Sequence, residues 1–164
     1  MSAGTITREW PPSSTTSGGW GPNALTHRYP WRSKSGAPGP YVLVFEFAAR
    51  AEIDALGFQP WNGWDEKDVP NVAQAVRVEG STQGPDSGYS TLGDYALQAT
   101  TKEQDFPLSR PAMARWLRVT LQQRGADYTY LGRVFAYGKL QPPATTNPIS
   151  GVWLYDSSPH QADD

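Results

Sequence analysis

Two tryptophans separated by short polar residues give this sequence its most distinctive chemistry. Residues 61–65 read WNGWD, so two indoles flank an amide and precede a carboxylate. The C–H face of a sugar packs on an aromatic ring, while Asn and Asp side chains bond to its hydroxyls. The pattern therefore favours carbohydrate binding, with Trp61 or Trp64 as the platform. Asn62 and Asp65 would then read the orientation of the hydroxyls.

Catalytic chemistry has much less support. The sequence has two histidines, one of which, His160, lies near the C-terminus, and it has no Gly-x-Ser-x-Gly segment. Glu52 and Asp54 would share one face of a strand, at a spacing compatible with the roughly 5–9.5 Å between carboxylates in glycoside hydrolysis. Nothing in the sequence places them in a cleft, however. We therefore expect no catalytic residue, and we expect that the protein is not an enzyme.

Metal binding is also weakly supported. The absence of cysteine excludes disulfides and thiolate zinc sites. The carboxylates at positions 65, 66 and 68 are interrupted by Lys67 and lack the glycine of a crowded calcium turn, so a solvated loop is the better interpretation. We expect no metal-binding residue here.

The charge balance limits the partners. Fourteen Lys and Arg stand against sixteen Asp and Glu, and the signs are mixed along the chain, which argues against binding to nucleic acid or to anionic membrane. The longest apolar run, Tyr41 to Phe47, contains Glu46 and is too short to be inserted in a membrane. Residues 1–10 lack the apolar segment of a signal peptide. The compartment stays open between an extracytoplasmic bacterial surface and the cytoplasm.

The elements that must position these loops are predicted to be strands. Sixteen glycines and fifteen prolines accompany seven tryptophans and eight tyrosines, a composition typical of short strands joined by tight turns. Alternation is clearest at Val76 and Val78, which we expect to point inward. The sequence predicts about eight strands in an all-β antiparallel sandwich, at residues 41–47, 52–58, 73–81, 89–92, 95–99, 105–108, 114–122 and 130–138.

The chain divides by composition into three parts. Residues 1–139 form the predicted sandwich, and residues 140–148 are a Pro- and Thr-rich linker. Residues 149–164 are either an extra strand that packs back on the sandwich or the beginning of a second domain.

Five segments in order resemble the discoidin domain, also called the coagulation factor 5/8 type C domain, a galactose-binding-like jelly roll. Its opening is similar to Gly18–Leu25 followed by Trp31-Arg32-Ser33. Its later strands resemble Val76–Ser81 with the turn to Gly88, Phe106–Leu108 with Ala114–Val119, and Leu131–Gly138. The resemblance covers residues 8–138 and implies a jelly-roll β-sandwich in which Trp31 and Trp116 are packing residues.

The resemblance also implies a ligand site in loops at one end of the sandwich. By position these loops are residues 18–22, 59–72 and 123–130, which adds Trp20, Arg124 and Tyr128 to the candidate residues. The family often holds a structural calcium, but the corresponding turn, residues 24–31, has no carboxylate. We therefore expect no cofactor, with structural calcium as the less favoured alternative.

Two functions remain open at this point. The first is a non-catalytic, lectin-like module with carbohydrate as its partner. The second is a protein–protein adaptor, in which Trp20, Trp61 and Trp64 would form an apolar hot spot for another protein or for a downstream domain of the same chain.

Overall fold

The computed structural model describes residues 2–10, 30–33, 36, 38–63, 65–124, 128–141 and 152–156, with residues 2–10 and 152–156 described as backbone alone. The described part is built almost entirely from strands, together with one 3₁₀ helix at Glu66–Asn71. The strands are β1 Ser2–Trp10, β2 Trp31–Arg32, β3 Tyr41–Gln59, β4 Ala75–Ser81, β5 Ser90–Ala96, β6 Gln104–Gln122, β7 Tyr130–Leu131, β8 Arg133–Leu140 and β9 Val152–Asp156.

Seven of these strands form one sheet in the order β1-β9-β8-β3-β6-β4-β5, and β2 pairs with β7 in a small second sheet. All pairings between strands are antiparallel except β8–β9. Strand β1 also pairs with β3, so β1, β9, β8 and β3 form a closed cycle of pairings, and β6, β4 and β5 continue the sheet from β3. The architecture is an antiparallel jelly-roll β-sandwich, which confirms the predicted fold class.

The longest strands bend at interruptions in their pairing. The sequence predicted two strands within residues 41–58, but β3 is one strand of 19 residues, so that prediction was wrong. Its register shifts between Ile53 and Ala55. Up to Ile53 the buried positions are odd-numbered apart from Val44, and beyond the shift they include Leu56 and Phe58. Since side chains alternate along a strand, the bulge keeps apolar residues inward in both halves.

The predicted strands at 105–108 and 114–122 are likewise parts of one strand, β6, which also has 19 residues. The two weak predictions around residues 89–99 merge into β5. A regular pattern marks where apolar residues face the core, whereas an extra residue in a bulge interrupts that pattern and makes one strand look like two.

The core lies between the curved parts of the sheet. Leu43, Phe45 and Leu117 are fully buried, and Val76 and Val78 point inward as predicted. Trp31 is also fully buried and meets Tyr41 edge-on at 5.7 Å between ring centroids, which confirms its packing role. Within the described residues, no helix combines the length and apolar character that crossing a bilayer requires.

A close backbone contact divides the last predicted strand of the sandwich into β7 and β8. The N–H of Gly132 donates to the carbonyl of Pro60 at 2.8 Å. A Cβ at this position would lie 2.4 Å from the carbonyl oxygen of Gln59, so only glycine fits without a shift. This contact brings the loop after β3 against β7.

Strand β9 is a member of the main sheet. It pairs with β8 in parallel and with β1 in antiparallel orientation. Residues 142–151 and 157–164 lie outside the described residues, and the domain limits at 139 and 148 stay a prediction.

Candidate functional site

The loop between β3 and β4 is held in place by backbone hydrogen bonds. Besides the contact from Gly132, the N–H of Ala73 donates to the carbonyl of Tyr130 at 2.8 Å, and that of Gln74 to the carbonyl of Gln122 at 3.0 Å. These bonds fix the two ends of the loop, at Pro60 and at Ala73 and Gln74, against β7 and the end of β6. The loop is therefore anchored at both ends by paired backbone.

Asp65 begins the 3₁₀ helix of this loop. Its carboxylate accepts the backbone N–H of Lys67 at 3.0 Å and also meets the Lys67 ammonium group at 2.9 Å. The hydrogen bond from the Lys67 side chain is the largest cause that lowers the pKa of Asp65, and the same contact raises the pKa of Lys67. Asp65 is thus kept ionised at the N-terminal end of the 3₁₀ helix.

Trp61 lies beneath the loop and not on its surface. Its side chain is 2% exposed and packs with Val72 and Tyr130, whose ring it meets edge-on at 5.0 Å. The expectation of a solvent-exposed stacking platform at Trp61 is therefore not met. The indole Nε1 is buried, and among the residues that the structure describes it has no hydrogen-bond partner.

Arg32 reaches the same region from β2. It is paired with Tyr130 in the β2–β7 register, and its guanidinium lies 4.3 Å from the centre of the Tyr128 ring. It also donates a hydrogen bond to the side chain of Tyr130. Burial is the largest cause that raises the pKa of Tyr130, and the charge of Asp68 raises it further. The phenol therefore stays protonated.

These side chains surround one concave space, which we call the loop cleft. Its volume is about 220 Å³. It is lined by Arg32, Trp61, Gly63, Asp65, Lys67, Asp68 and Tyr130. Two cations and two carboxylates cancel in charge, and Trp61 and Tyr130 also line the space, although they are only 2% and 4% exposed. Such a set can bond to a neutral polyhydroxylated ligand as both donor and acceptor.

The other predicted site residues have different surroundings. Arg124 donates to the carbonyls of Val72 at 3.3 Å and Leu97 at 2.5 Å, and so ties two loops together. Asn62 is half-buried beside Gly132, and within the described part of the chain its buried amide N and O atoms have no hydrogen-bond partner. Tyr128 is not among the residues that line the loop cleft, but its ring contacts the guanidinium of Arg32, which does line it. Trp20 and Trp64 lie outside the described residues.

Sequence reasoning missed Arg32 and Tyr130. Arg32 lies in a segment that the family resemblance assigns to the fold and follows a buried tryptophan, so it carried no functional signal. Tyr130 is the last residue of the predicted ligand loop 123–130, but it is also the first residue of the strand predicted at 130–138 and was not named as a site residue. Their approach depends on the two-residue pairing of β2 with β7, a contact between segments about one hundred residues apart. Lys67 and Asp68 were noted only as part of a solvated loop.

The expected absence of a metal site stays a prediction. The described residues contain no group of three or more His, Cys, Asp or Glu side chains arranged to hold a metal ion. The turn at residues 24–31, where the resemblance would allow a structural calcium, lies almost entirely outside the described residues.

Comparison with known proteins gives structural relatives alone. No protein-family model matches the sequence, and no curated protein sequence matches it. The C-terminal domain of a chitobiase from Bacteroides fragilis has a TM-score of 0.70 with 15% identity, covering 85% of this chain and 95% of that domain. A fragment of a putative chitobiase from Bacteroides thetaiotaomicron has a TM-score of 0.70 with 18% identity, covering 84% of this chain and 90% of that fragment.

A third similar structure is the family 32 carbohydrate-binding module of Clostridium perfringens NanJ, in complex with galactose. Its TM-score is 0.63 with 8% identity, and the match covers 82% of this chain and 97% of that module. At these identities the likeness establishes the fold. This chain has the galactose-binding-like jelly roll that its resemblance to discoidin domains implied.

Proposed function

We propose that this chain is a non-catalytic carbohydrate-binding module and that its ligand sits in the loop cleft. The observation that carries the proposal is the convergence of a guanidinium, an ammonium group and two carboxylates around one small hollow that two largely buried aromatic residues also line. Sugar recognition uses few but well-placed polar groups beside an apolar wall.

The cleft is organised before any ligand arrives. The guanidinium of Arg32 is held by the ring of Tyr128 and by a hydrogen bond to the side chain of Tyr130, and the carboxylate of Asp65 is held by Lys67. Holding these groups in advance reduces the entropy lost on binding, which improves affinity for a ligand with few atoms.

The size of the cleft supports a small ligand. About 220 Å³ is less than the roughly 300–1,000 Å³ of pockets for drug-sized molecules. A single terminal sugar ring suits this space better than a long chain. Its affinity would be modest, so useful binding would come from several copies or from a tethered partner.

The electrostatics of the cleft favour binding over catalysis. A general acid or base needs a pKa near the working pH. Here Lys67 lowers the pKa of Asp65, while burial raises the pKa of Tyr130. Both pKa values therefore shift further from neutral pH. The balanced charge of the lining also favours a neutral sugar over a phosphate or a nucleic acid.

Solved structures of the same fold support this class of ligand. The similar C. perfringens NanJ module holds galactose, and another C. perfringens module of this fold holds GalNAc-β-1,3-galactose. An adaptor would instead present a broad apolar surface. Within the described residues the single large hydrophobic side chain that is exposed is Met113, at 38%, and it does not line the cleft.

Titration of the ¹⁵N-labelled chain with galactose, N-acetylgalactosamine, N-acetylglucosamine and fucose tests the proposal. At least one sugar should saturably shift the amides of residues 32, 65–68 and 128–130. Arg32→Gln should weaken that response about tenfold, the effect of losing a hydrogen bond to a charged group. Arg110→Gln is the matched control, since Arg110 is exposed on β6 and does not line the cleft.

The proposal fails if no sugar in the panel shifts those amides. It also fails if the shifts persist unchanged in Arg32→Gln. A retained circular dichroism spectrum for both variants shows that the fold is intact.

A further inference from the structure

A second, larger hollow lies on the outward face of the strands β4, β5 and β6. Its volume is about 490 Å³, more than twice that of the loop cleft. We call it the sheet groove. Its outward-facing lining consists of Pro40, Ala75, Arg77, Asp94, Ala96, Thr120 and Gln122. No residue lines both the sheet groove and the loop cleft.

Small side chains form the floor of the sheet groove. Ala75 on the central strand β4 is opposite Ala96 on β5 and opposite Gln122 on β6. Three adjacent strands span about 10 Å at the usual spacing of 4.7–4.9 Å between neighbours. Alanine at both Ala75 and Ala96 keeps the floor low on β4 and β5, and Gln122 lies beside them on β6.

Arg77 and Asp94 form the polar wall of the sheet groove. The Nε of Arg77 donates to Oδ1 of Asp94 at 2.7 Å, and one terminal nitrogen donates to Oδ2 at 3.2 Å. A guanidinium has five N–H donors and a carboxylate has about four acceptor positions. Each group therefore keeps further bonding capacity after the pair has formed.

The pair is both rigid and accessible. Its side chains are 56% and 59% exposed, and the two residues face each other across the β4–β5 ladder. A bidentate contact of this kind fixes the plane of both groups. Thr120 on β6 is the cross-strand neighbour of Arg77, and its hydroxyl lies on the same face of the sheet. Donors and acceptors thus stand side by side on strands, which are stiffer supports than loops.

Charge and shape together limit what the sheet groove can bind. One cation and one anion cancel, so the groove offers no net attraction to phosphate or to acidic polymers. Its open form along the strands suits an extended ligand better than an enclosed ring. Its polar wall suits a ligand whose neighbouring groups both donate and accept hydrogen bonds.

We propose that the sheet groove is a second ligand site that binds a neutral oligosaccharide as an extended chain. Adjacent hydroxyls of such a chain can accept from Arg77 and Thr120 while donating to Asp94. The loop cleft would bind a terminal sugar, and the sheet groove an internal segment. The two sites are independent, so the sheet groove does not rest on the proposed function of the loop cleft.

The test uses the full chain, ¹⁵N-labelled, titrated with linear hexasaccharides of glucose, galactose, xylose and N-acetylglucosamine. At least one should saturably shift the amides of residues 75–77 and 94–96. The double variant Arg77→Ala with Asp94→Ala should weaken that response about tenfold, the effect of losing charge-assisted hydrogen bonds. It should fold normally, because exposed ion pairs contribute little to stability.

A second variant fills the groove without touching the polar wall. Ala96→Leu should obstruct the floor and weaken the same response, whereas Thr91→Ala, on the same strand but outside the groove, should leave it unchanged. Shifts at residues 32, 65–68 and 128–130 report the loop cleft separately, so the failure of one site is distinguishable from the failure of the other.

The proposal is overturned if no hexasaccharide shifts the amides of residues 75–77 and 94–96. It is also overturned if those shifts survive both the double variant and Ala96→Leu.

Discussion

Tyr137 donates a hydrogen bond from its hydroxyl to the carboxylate of Glu103, although the two residues are 34 positions apart in the sequence. Both stand over Gly57, where an added Cβ would lie 2.8 Å from a carboxylate oxygen of Glu103 and 2.6 Å from one of Asp105. Two carboxyl groups thus converge above the backbone of β3. The lack of a side chain at Gly57 leaves the space in which they meet.

This convergence predicts a pH dependence of stability. Although Glu103 is exposed at the surface, partial loss of hydration among its neighbours is the largest cause that raises its pKa above the ordinary value of 4.5, and Asp105 raises the pKa further, whereas Tyr137 and Arg133 act in the opposite direction. A raised pKa in the folded state means that the folded chain binds the proton more tightly than the unfolded chain. The resulting stabilisation is complete below about pH 4.5 and is lost as the pH rises through the raised value.

Urea unfolding at a series of pH values measures this effect. Glu103→Gln mimics the protonated form and should flatten the decline in the free energy of unfolding above pH 4.5. Glu66→Gln, at an exposed position on the 3₁₀ helix, should keep the decline of the unaltered chain. Identical pH profiles for Glu103→Gln and the unaltered chain would contradict the prediction.

Trp61→Ala is expected to destabilise the chain substantially. The indole is buried against Val72 and Tyr130, and removing a buried Trp or Phe side chain typically costs about 3–5 kcal/mol. Trp61→Phe keeps part of the contact with Tyr130 and should cost less. The free energy of unfolding from chemical denaturation measures both. A loss below about 1 kcal/mol for Trp61→Ala, the scale of surface substitutions, would mean that the ring is not a packing element.

Gly132→Ala should destabilise the contact between the β3–β4 loop and β7. The new Cβ would lie 2.4 Å from the carbonyl oxygen of Gln59, a backbone atom with little room to move. Forced contacts of this kind cost roughly 1–3 kcal/mol. Gly84→Ala is the matched control, since its nearest neighbour would be Ser87 Oγ at 3.8 Å. Equal unfolding midpoints for the two variants would refute the assignment of the tight contact.

The ion pair of Arg118 and Glu79 should be stronger than that of Arg77 and Asp94. Both pairs are bidentate, but the side chains of Arg118 and Glu79 are 35% and 15% exposed, against 56% and 59% for the other pair. Arg118 also lies 4.1 Å from the centre of the Tyr89 ring. Double-mutant cycles should give a coupling energy of about 1–3 kcal/mol for the inner pair and below about 1 kcal/mol for the outer pair. A larger coupling energy for Arg77 and Asp94 than for Arg118 and Glu79 would show that burial does not determine the relative strength of the two ion pairs.

Much of the fold could be predicted from local pattern. Alternation at Val76 and Val78 identified an amphipathic strand, and the apolar run at residues 41–47 identified a central one, because burial on one face or on both leaves a direct trace in residue types. The bend in β3 left no such trace. A bulge near Ile53 interrupts the alternation, and its position is fixed by neighbours that are distant in the sequence.

The candidate site was predicted less completely than the fold. The residue types at positions 61–65 predicted a site with aromatic and polar groups. Trp61, Gly63 and Asp65 do line the loop cleft. Its exposure was misjudged, because composition does not reveal that Tyr130 covers the Trp61 ring from another strand. The role of Arg32 could not be predicted from the sequence either, because its position in the cleft depends on the pairing of β2 with β7.

The shared use of β3 has a consequence for how the molecule opens. Residues 42–47 of this strand pair with β1, residues 51–59 pair with β8, and β6 accompanies both halves. Each half of β3 is therefore hydrogen-bonded on both sides, and the two halves belong to one continuous strand. Amide hydrogen exchange along β3 should therefore proceed at similar, slow rates at both ends, as a single cooperative event rather than as fraying from one side.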